Sequence, residues 1–191
     1  ELITRIFIKD SENVKDNTVR KAYGTLGGIV GIICNLILCI IKITVGLISG
    51  SISILADGFN NLSDMGSYLV TIIGFKLAGK PADRDHPFGH GRMEYMSAFI
   101  VSVLILIVGV DLMESSLKSL IGNTNPPTYN IWAISVLIIS VLVKLWMFVF
   151  NRKLGNKISS DVLKATAKDS LNDTLATIAI LISVGVSLVC T

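Results

Sequence analysis

Two pairs of side chains set the problem. Asn60 and Asp64 lie four residues apart, and so do Asp169 and Asp173, each pair inside an otherwise apolar stretch. On a helix, positions i and i+4 share one face, a turn apart. The two segments echo each other, as Asn60-Asn61-Leu62-Ser63-Asp64 and Asp169-Ser170-Leu171-Asn172-Asp173. In lipid such groups are costly and must face a partner, a water path or an ion. Three carboxylates and one amide at one depth repel strongly without a cation. A divalent metal resolves this, since four oxygens make a tetrahedral or partly hydrated site. Alternatively the acids pair internally with Lys42, Lys144 or Lys168. Spacing and depth favour the metal.

The depth argument needs a membrane, and composition supplies it. Of 191 residues, 51% are hydrophobic and only 16% charged, against about a quarter charged in soluble domains. Mean hydropathy is +0.68. The net charge of +3 is too small to suggest a nucleic-acid binder, and no basic stripe with interleaved aromatics appears, so no nucleic-acid partner is expected. Cys34, Cys39 and Cys190 sit in apolar runs. Buried free thiols are expected, not a disulfide framework. The chain opens on Glu1 without a signal-peptide pattern, and a trimmed N-terminus is expected.

The elements follow from apolar runs and breakers. Residues 1–21 read as a polar cytoplasmic segment, and 22–191 as a transmembrane domain with spans at about 23–48, 52–79, 93–120, 130–154 and 160–191. The fold class expected is all-α, a polytopic membrane bundle with five transmembrane helices. Gly24, Gly27, Gly28 and Gly31 give the small-residue spacing of close helix packing. Ser49-Gly50-Ser51, Lys80–Arg92 and Gly122–Pro127 read as turns and loops. Tyr129 and Trp132 read as interfacial aromatics.

Basic residues orient the spans. Arg5, Lys9, Lys15, Arg20 and Lys21 precede the first, Lys76, Lys80, Arg84 and Arg92 flank the loop after the second, and Arg152, Lys153 and Lys157 follow the fourth. The other side has Lys118 alone. The N-terminus is therefore expected in the cytoplasm of a multi-pass plasma-membrane protein. Thr191 falls on the far side at the end of an apolar run, so further sequence is expected beyond it. Asp64 and Asp173 then lie about 13–14 residues, roughly 20 Å, from the cytoplasmic ends of two antiparallel spans. Without an ion, close carboxylates cannot all stay ionised, and protons take the ion's place. Metal binding expels them. Such a site suits metal–proton antiport by alternating access.

At this point the residues resemble the cation diffusion facilitator family. The resemblance rests on Ser51-Ile52-Ser53-Ile54-Leu55-Ala56-Asp57-Gly58-Phe59-Asn60-Asn61-Leu62-Ser63-Asp64, on Pro81-Ala82-Asp83-Arg84-Asp85-His86-Pro87-Phe88-Gly89-His90-Gly91-Arg92, and on Asp169-Ser170-Leu171-Asn172-Asp173. It covers nearly the whole chain. It implies a homodimeric exporter of divalent metals coupled to proton entry, a secondary active transporter and not an enzyme. The implied transport ligands are Asn60, Asp64, Asp169 and Asp173. Zinc-carrying members have histidine at one or both leading positions, where this chain has Asn60 and Asp169. An all-oxygen shell is harder and favours Mn²⁺ over Zn²⁺, as in the manganese branch. Fe²⁺, Co²⁺ and Cd²⁺ compete with Zn²⁺ for second place as cargo, while Mg²⁺ holds its waters. The resemblance also implies a sixth helix and a cytoplasmic domain, neither present in this chain.

Several residues have bland and sharp readings side by side. Asp83, His86 and His90 form Asp-x2-His-x3-His, matching a second metal site in some family members. Pro87 makes a continuous helix through His86 unfavourable, so a shared site depends on loop folding. The bland reading is a salt-bridged loop. Arg92 resembles a family position that pairs with an acid across the dimer. Asp57 is read as structural or as part of an exit path. Asn61 and Asn172 neighbour the ligands. Lys42 and Lys144 snorkel or pair, with pairing favoured; Asp111 and Glu114 are near-interface charges for which pairing is likewise favoured. Two other functional classes compete. A membrane-embedded metal hydrolase needs a general base and an open metal position, but both histidines lie in the loop. A structural membrane subunit needs only internally paired acids.

Overall fold

The computed structural model describes residue 8 and residues 12–14, 16–49, 52–84, 86–121 and 131–189. The turn at 122–127, Tyr129, Asp85 and Cys190 lie outside the described residues. Five helices follow in order: α1 Asn17–Ser49, α2 Ile52–Ala78, α3 Met93–Ile121, α4 Ile131–Lys157 and α5 Asp161–Val189. No strand occurs among the described residues.

Helix α1 starts at Asn17, inside the segment expected to be a polar tail. Asp16 explains the start: its Oδ1 accepts from the Thr18 backbone N–H at 2.7 Å, a side-chain cap on an orphan donor. The extra turns carry Arg20, which donates to the Ile158 carbonyl and pairs with Glu94 at 2.9 Å. Hydropathy does not register caps or distant partners, so the helix extends beyond the apolar run. Ile8 and Val19 join Tyr23, Phe75, Leu154, Ile158, Val162 and Leu163 in an apolar cluster at this end of the bundle.

The α4–α5 turn takes three residues. Ser159 adopts a left-handed φ of 51°, and the Ser160 N–H donates to the Gly155 carbonyl at 2.8 Å, closing a Schellman-type end. Ser160 also caps α5, its Oγ accepting from the Leu163 N–H at 3.5 Å. So short a turn forces α4 and α5 into an antiparallel hairpin. The α1–α2 and α4–α5 hairpins have the most extensive helix contacts. Contacts of α1 with α4 and of α2 with α5 join them, and α3 packs on α2 and α5.

The α1–α2 seam depends on absent side chains. A methyl group at Gly24, Gly28 or Gly31 would overlap Phe75, Ile72 or Tyr68 respectively. The glycine spacing therefore does the packing work expected of it.

The bundle is apolar outside and polar inside. Ile33, Ile37 and Ile40 on α1, Phe99 and Leu106 on α3, and Leu142 on α4 are exposed. Asn35, Lys42, Asp64, Thr71, Lys144, Asn151, Ser170 and Thr174 are buried. That pattern suits a lipid surround. Among the described residues, three helices are long and apolar enough to cross a membrane: α1 over Asn17–Ile48, α3 over Met93–Asp111 and α4 over Ile134–Lys157. Helix α2 misses that measure because it carries Asp57, Asn60, Asn61 and Asp64 among its apolar residues.

Candidate cation site

Asp64 on α2 is 5% exposed and Asp169 on α5 is 9% exposed. Asp173, one turn further along α5, is partly buried. Between Asp64 and Asp173 stands Lys144 of α4, itself buried. Its Nζ donates at 2.6 Å to Asp64 Oδ2 and at 2.6 Å to Asp173 Oδ2. One ammonium reaches both oxygens, so these two acids from antiparallel helices do meet at one level. Asp169 lies within electrostatic reach of Asp64, Asp173 and Lys144. Asn60 is half-buried one turn before Asp64 and makes no hydrogen bond to the other three. The structure thus brings two of the four expected oxygen donors, Asp64 and Asp173, onto one ammonium, with Asp169 nearby but outside that contact.

The neighbouring amides behave differently. Asn61 is buried, and its Nδ2 donates to the Asp57 carbonyl at 2.9 Å. Asn172 is exposed. Asp57 pairs with Lys42, its Oδ2 lying 2.8 Å from the Lys42 Nζ. Of the three lysines weighed as partners, Lys42 and Lys144 pair with acids, whereas Lys168 is exposed.

Sequence reasoning missed the scaffold beneath the acids. Tyr68 is fully buried one turn after Asp64. Its hydroxyl lies 3.1 Å from Ser170 Oγ and accepts from Asn151 Nδ2 at 3.1 Å. One phenol therefore ties α2 to α4 and α5 a turn from the carboxylates. The available signal was the i+4 series 60, 64, 68 and the adjacency of Ser170 to Asp169.

The loop residues also converge. Ligand atoms of Asp83, His86 and His90 all lie within 4.8 Å of one another. Asp83 Oδ1 accepts from the His86 backbone N–H at 2.7 Å, and Asp83 Oδ2 lies 3.5 Å from His90 Nε2. A left-handed φ of 79° at Gly89 lets the chain return between the two imidazoles. The His86 N–H is the main cause holding the Asp83 carboxyl below its ordinary value of 3.8. A depressed carboxylate stabilises the loop above the unfolded value, and the contribution is lost as pH falls through the folded value. The His86 amide resonance is therefore expected to titrate with a midpoint below 3.8. A midpoint at or above that value would refute the bond.

The basic helix ends gather at the end of the bundle that carries this loop. Arg20 of α1 holds Glu94 of α3 and the turn after α4, and Lys157 of α4 lies 3.8 Å from Glu12. At the other end of α3, Lys118 pairs with Glu114 at 2.6 Å.

Among the described residues, a helical bundle with an apolar exterior and buried acids has the character of a membrane domain. Residues 28–191 match the cation efflux transmembrane domain. The chain belongs to the cation efflux family, the cation diffusion facilitators anticipated from its motifs. It is 32% identical over 150 residues to the uncharacterized transporter YdbO of Bacillus subtilis, covering 78% of this chain and 51% of that one. It is 31% identical over 156 residues to the manganese efflux system protein MneP of Bacillus subtilis, covering 82% and 52%. It is 31% identical over 157 residues to the magnetosome protein MamM of Paramagnetospirillum magneticum, covering 82% and 49%. The chain thus spans about half the length of the curated relatives it matches.

Proposed function

We propose that this chain is the membrane part of a divalent-cation exporter that carries Mn²⁺ out of the cytosol in exchange for protons. The observation that carries the reading is the meeting of Asp64 and Asp173, from two antiparallel helices, at one buried cation position, with Asp169 in electrostatic reach of both. Asn60, one turn before Asp64, supplies the fourth oxygen in this reading. Manganese is favoured by a donor set of oxygens alone, and the names of relatives such as MneP agree with it. Basic helix ends around Arg20 and Arg92 favour a cytoplasmic N-terminus in the plasma membrane. The working unit in this reading is a homodimer. The Asp83, His86 and His90 cluster serves as a second, loop-borne metal site.

Vesicle transport tests the reading. Purified protein reconstituted in liposomes is expected to move Mn²⁺, and an imposed proton gradient is expected to change the rate. Indifference to the gradient would remove the antiport. Asn60→His introduces a softer nitrogen donor and is expected to raise Zn²⁺ transport relative to Mn²⁺, by about tenfold in the ratio if one ligand decides the preference. An unchanged ratio would remove Asn60 from the shell.

Lys144 favours one competing reading, a structural subunit whose acids are simply paired. Calorimetry separates the two. Mn²⁺ binding lost in Asp64→Ala/Asp173→Ala supports the exporter, whereas no binding by either protein supports the structural subunit.

A further inference from the structure

We propose that Lys144 is a tethered competitor for the transported ion: its ammonium and the metal take the same carboxylate oxygens, so each entering ion displaces it and its return helps expel the ion. The inference deepens the exporter reading and rests on it. Asp64 Oδ2 and Asp173 Oδ2 are the atoms through which a cation would bridge α2 and α5, and both hydrogen-bond to Lys144 Nζ at 2.6 Å. The lysine comes from α4, outside the helices that carry the acids, so it can retract without moving them. A flexible four-carbon stem permits that motion. An acceptor waits one turn back on the same face of α4: Ser140 is buried, and its Oγ has no hydrogen-bond partner.

Charge balance gives the device a second consequence. Three carboxylates and one ammonium carry a formal charge of −2, which one divalent ion neutralises and a monovalent ion leaves at −1. Removing the ammonium leaves −3, which grips a divalent ion harder and releases it less readily. Lys144 therefore trades affinity for release, and it sets the valence the site accepts.

Two substitutions and one spectroscopic measurement test this. Lys144→Met fills similar space without charge and is expected to lower the Mn²⁺ dissociation constant by about tenfold or more while slowing turnover in vesicles. Lys144→Arg keeps the charge and can grip both carboxylates with its planar fork. It is expected to raise the dissociation constant by about tenfold. A merely structural lysine does not give shifts of opposite sign. If Lys144→Met fails to fold, the unsubstituted protein still decides the matter. Saturation with diamagnetic Cd²⁺ is expected to shift the ¹⁵Nζ resonance of Lys144 and to speed its proton exchange as the two carboxylate bonds break. Wild-type binding with unchanged or same-sign variant affinities, or a Lys144 signal unmoved by bound Cd²⁺, overturns this proposal alone. No Mn²⁺ or Cd²⁺ binding by the wild type overturns the exporter reading and this inference together.

Discussion

Replacing Asp64 and Asp173 together by alanine is expected to abolish Mn²⁺ binding and to destabilise the bundle by about 3–5 kcal/mol. The two losses have different causes. Binding fails because the oxygens that bridge α2 and α5 are gone. Stability falls because Lys144, 3% exposed, loses both carboxylate partners and is left as a buried, uncompensated charge. Breaking a buried ion pair from one side costs far more than replacing all of it by apolar groups. The triple variant Asp64→Ala/Asp173→Ala/Lys144→Met should therefore recover most of the lost stability and none of the binding. Thermal unfolding in detergent, with Mn²⁺ calorimetry on the same samples, reads both. A triple variant as unstable as the double would mean that the acids hold the helices by some means other than Lys144.

Gly31→Leu is expected to be the most disruptive single change outside the charged cluster. A Cβ at this position already overlaps the Tyr68 ring, and a leucine would extend further into it. Overpacking of this kind costs about 1–3 kcal/mol. The ring cannot simply move aside, because its hydroxyl contacts Ser170 on α5 and Asn151 on α4. Displacing Tyr68 therefore loosens three helices at once, a turn from Asp64. Lowered thermal stability together with weakened Mn²⁺ affinity is expected, whereas Tyr68→Phe, which loses only the hydroxyl, should weaken both far less. Equal effects of the two variants would show that the seam and the site are independent.

Much of the helical order was legible because each cue is local. Apolar runs, Gly and Pro punctuation and i+4 spacing each need only a few neighbouring residues. The start of α1 ahead of its apolar run shows what hydropathy alone does not register. Asp16 caps the helix, and Arg20 is held by Ile158 and Glu94, which lie far off in sequence.

At the site, the sequence by itself determined which oxygens share a helix face, because a helix turns every 3.6 residues whatever surrounds it. It also determined that the acids require a partner, because charge in an apolar medium must be matched. The partner within the chain was decided only by tertiary structure. Lys42, Lys144 and Lys168 were equal candidates by sequence, and the way α4 packs on α5 delivered Lys144 to Asp64 and Asp173. The fate of Asp57 was settled in the same way: α1 brought Lys42 to it, which leaves Asp57 paired apart from Asp64 and Asp173. Periodicity is a property of one helix, whereas a counter-ion is chosen by the angle and register at which different helices meet.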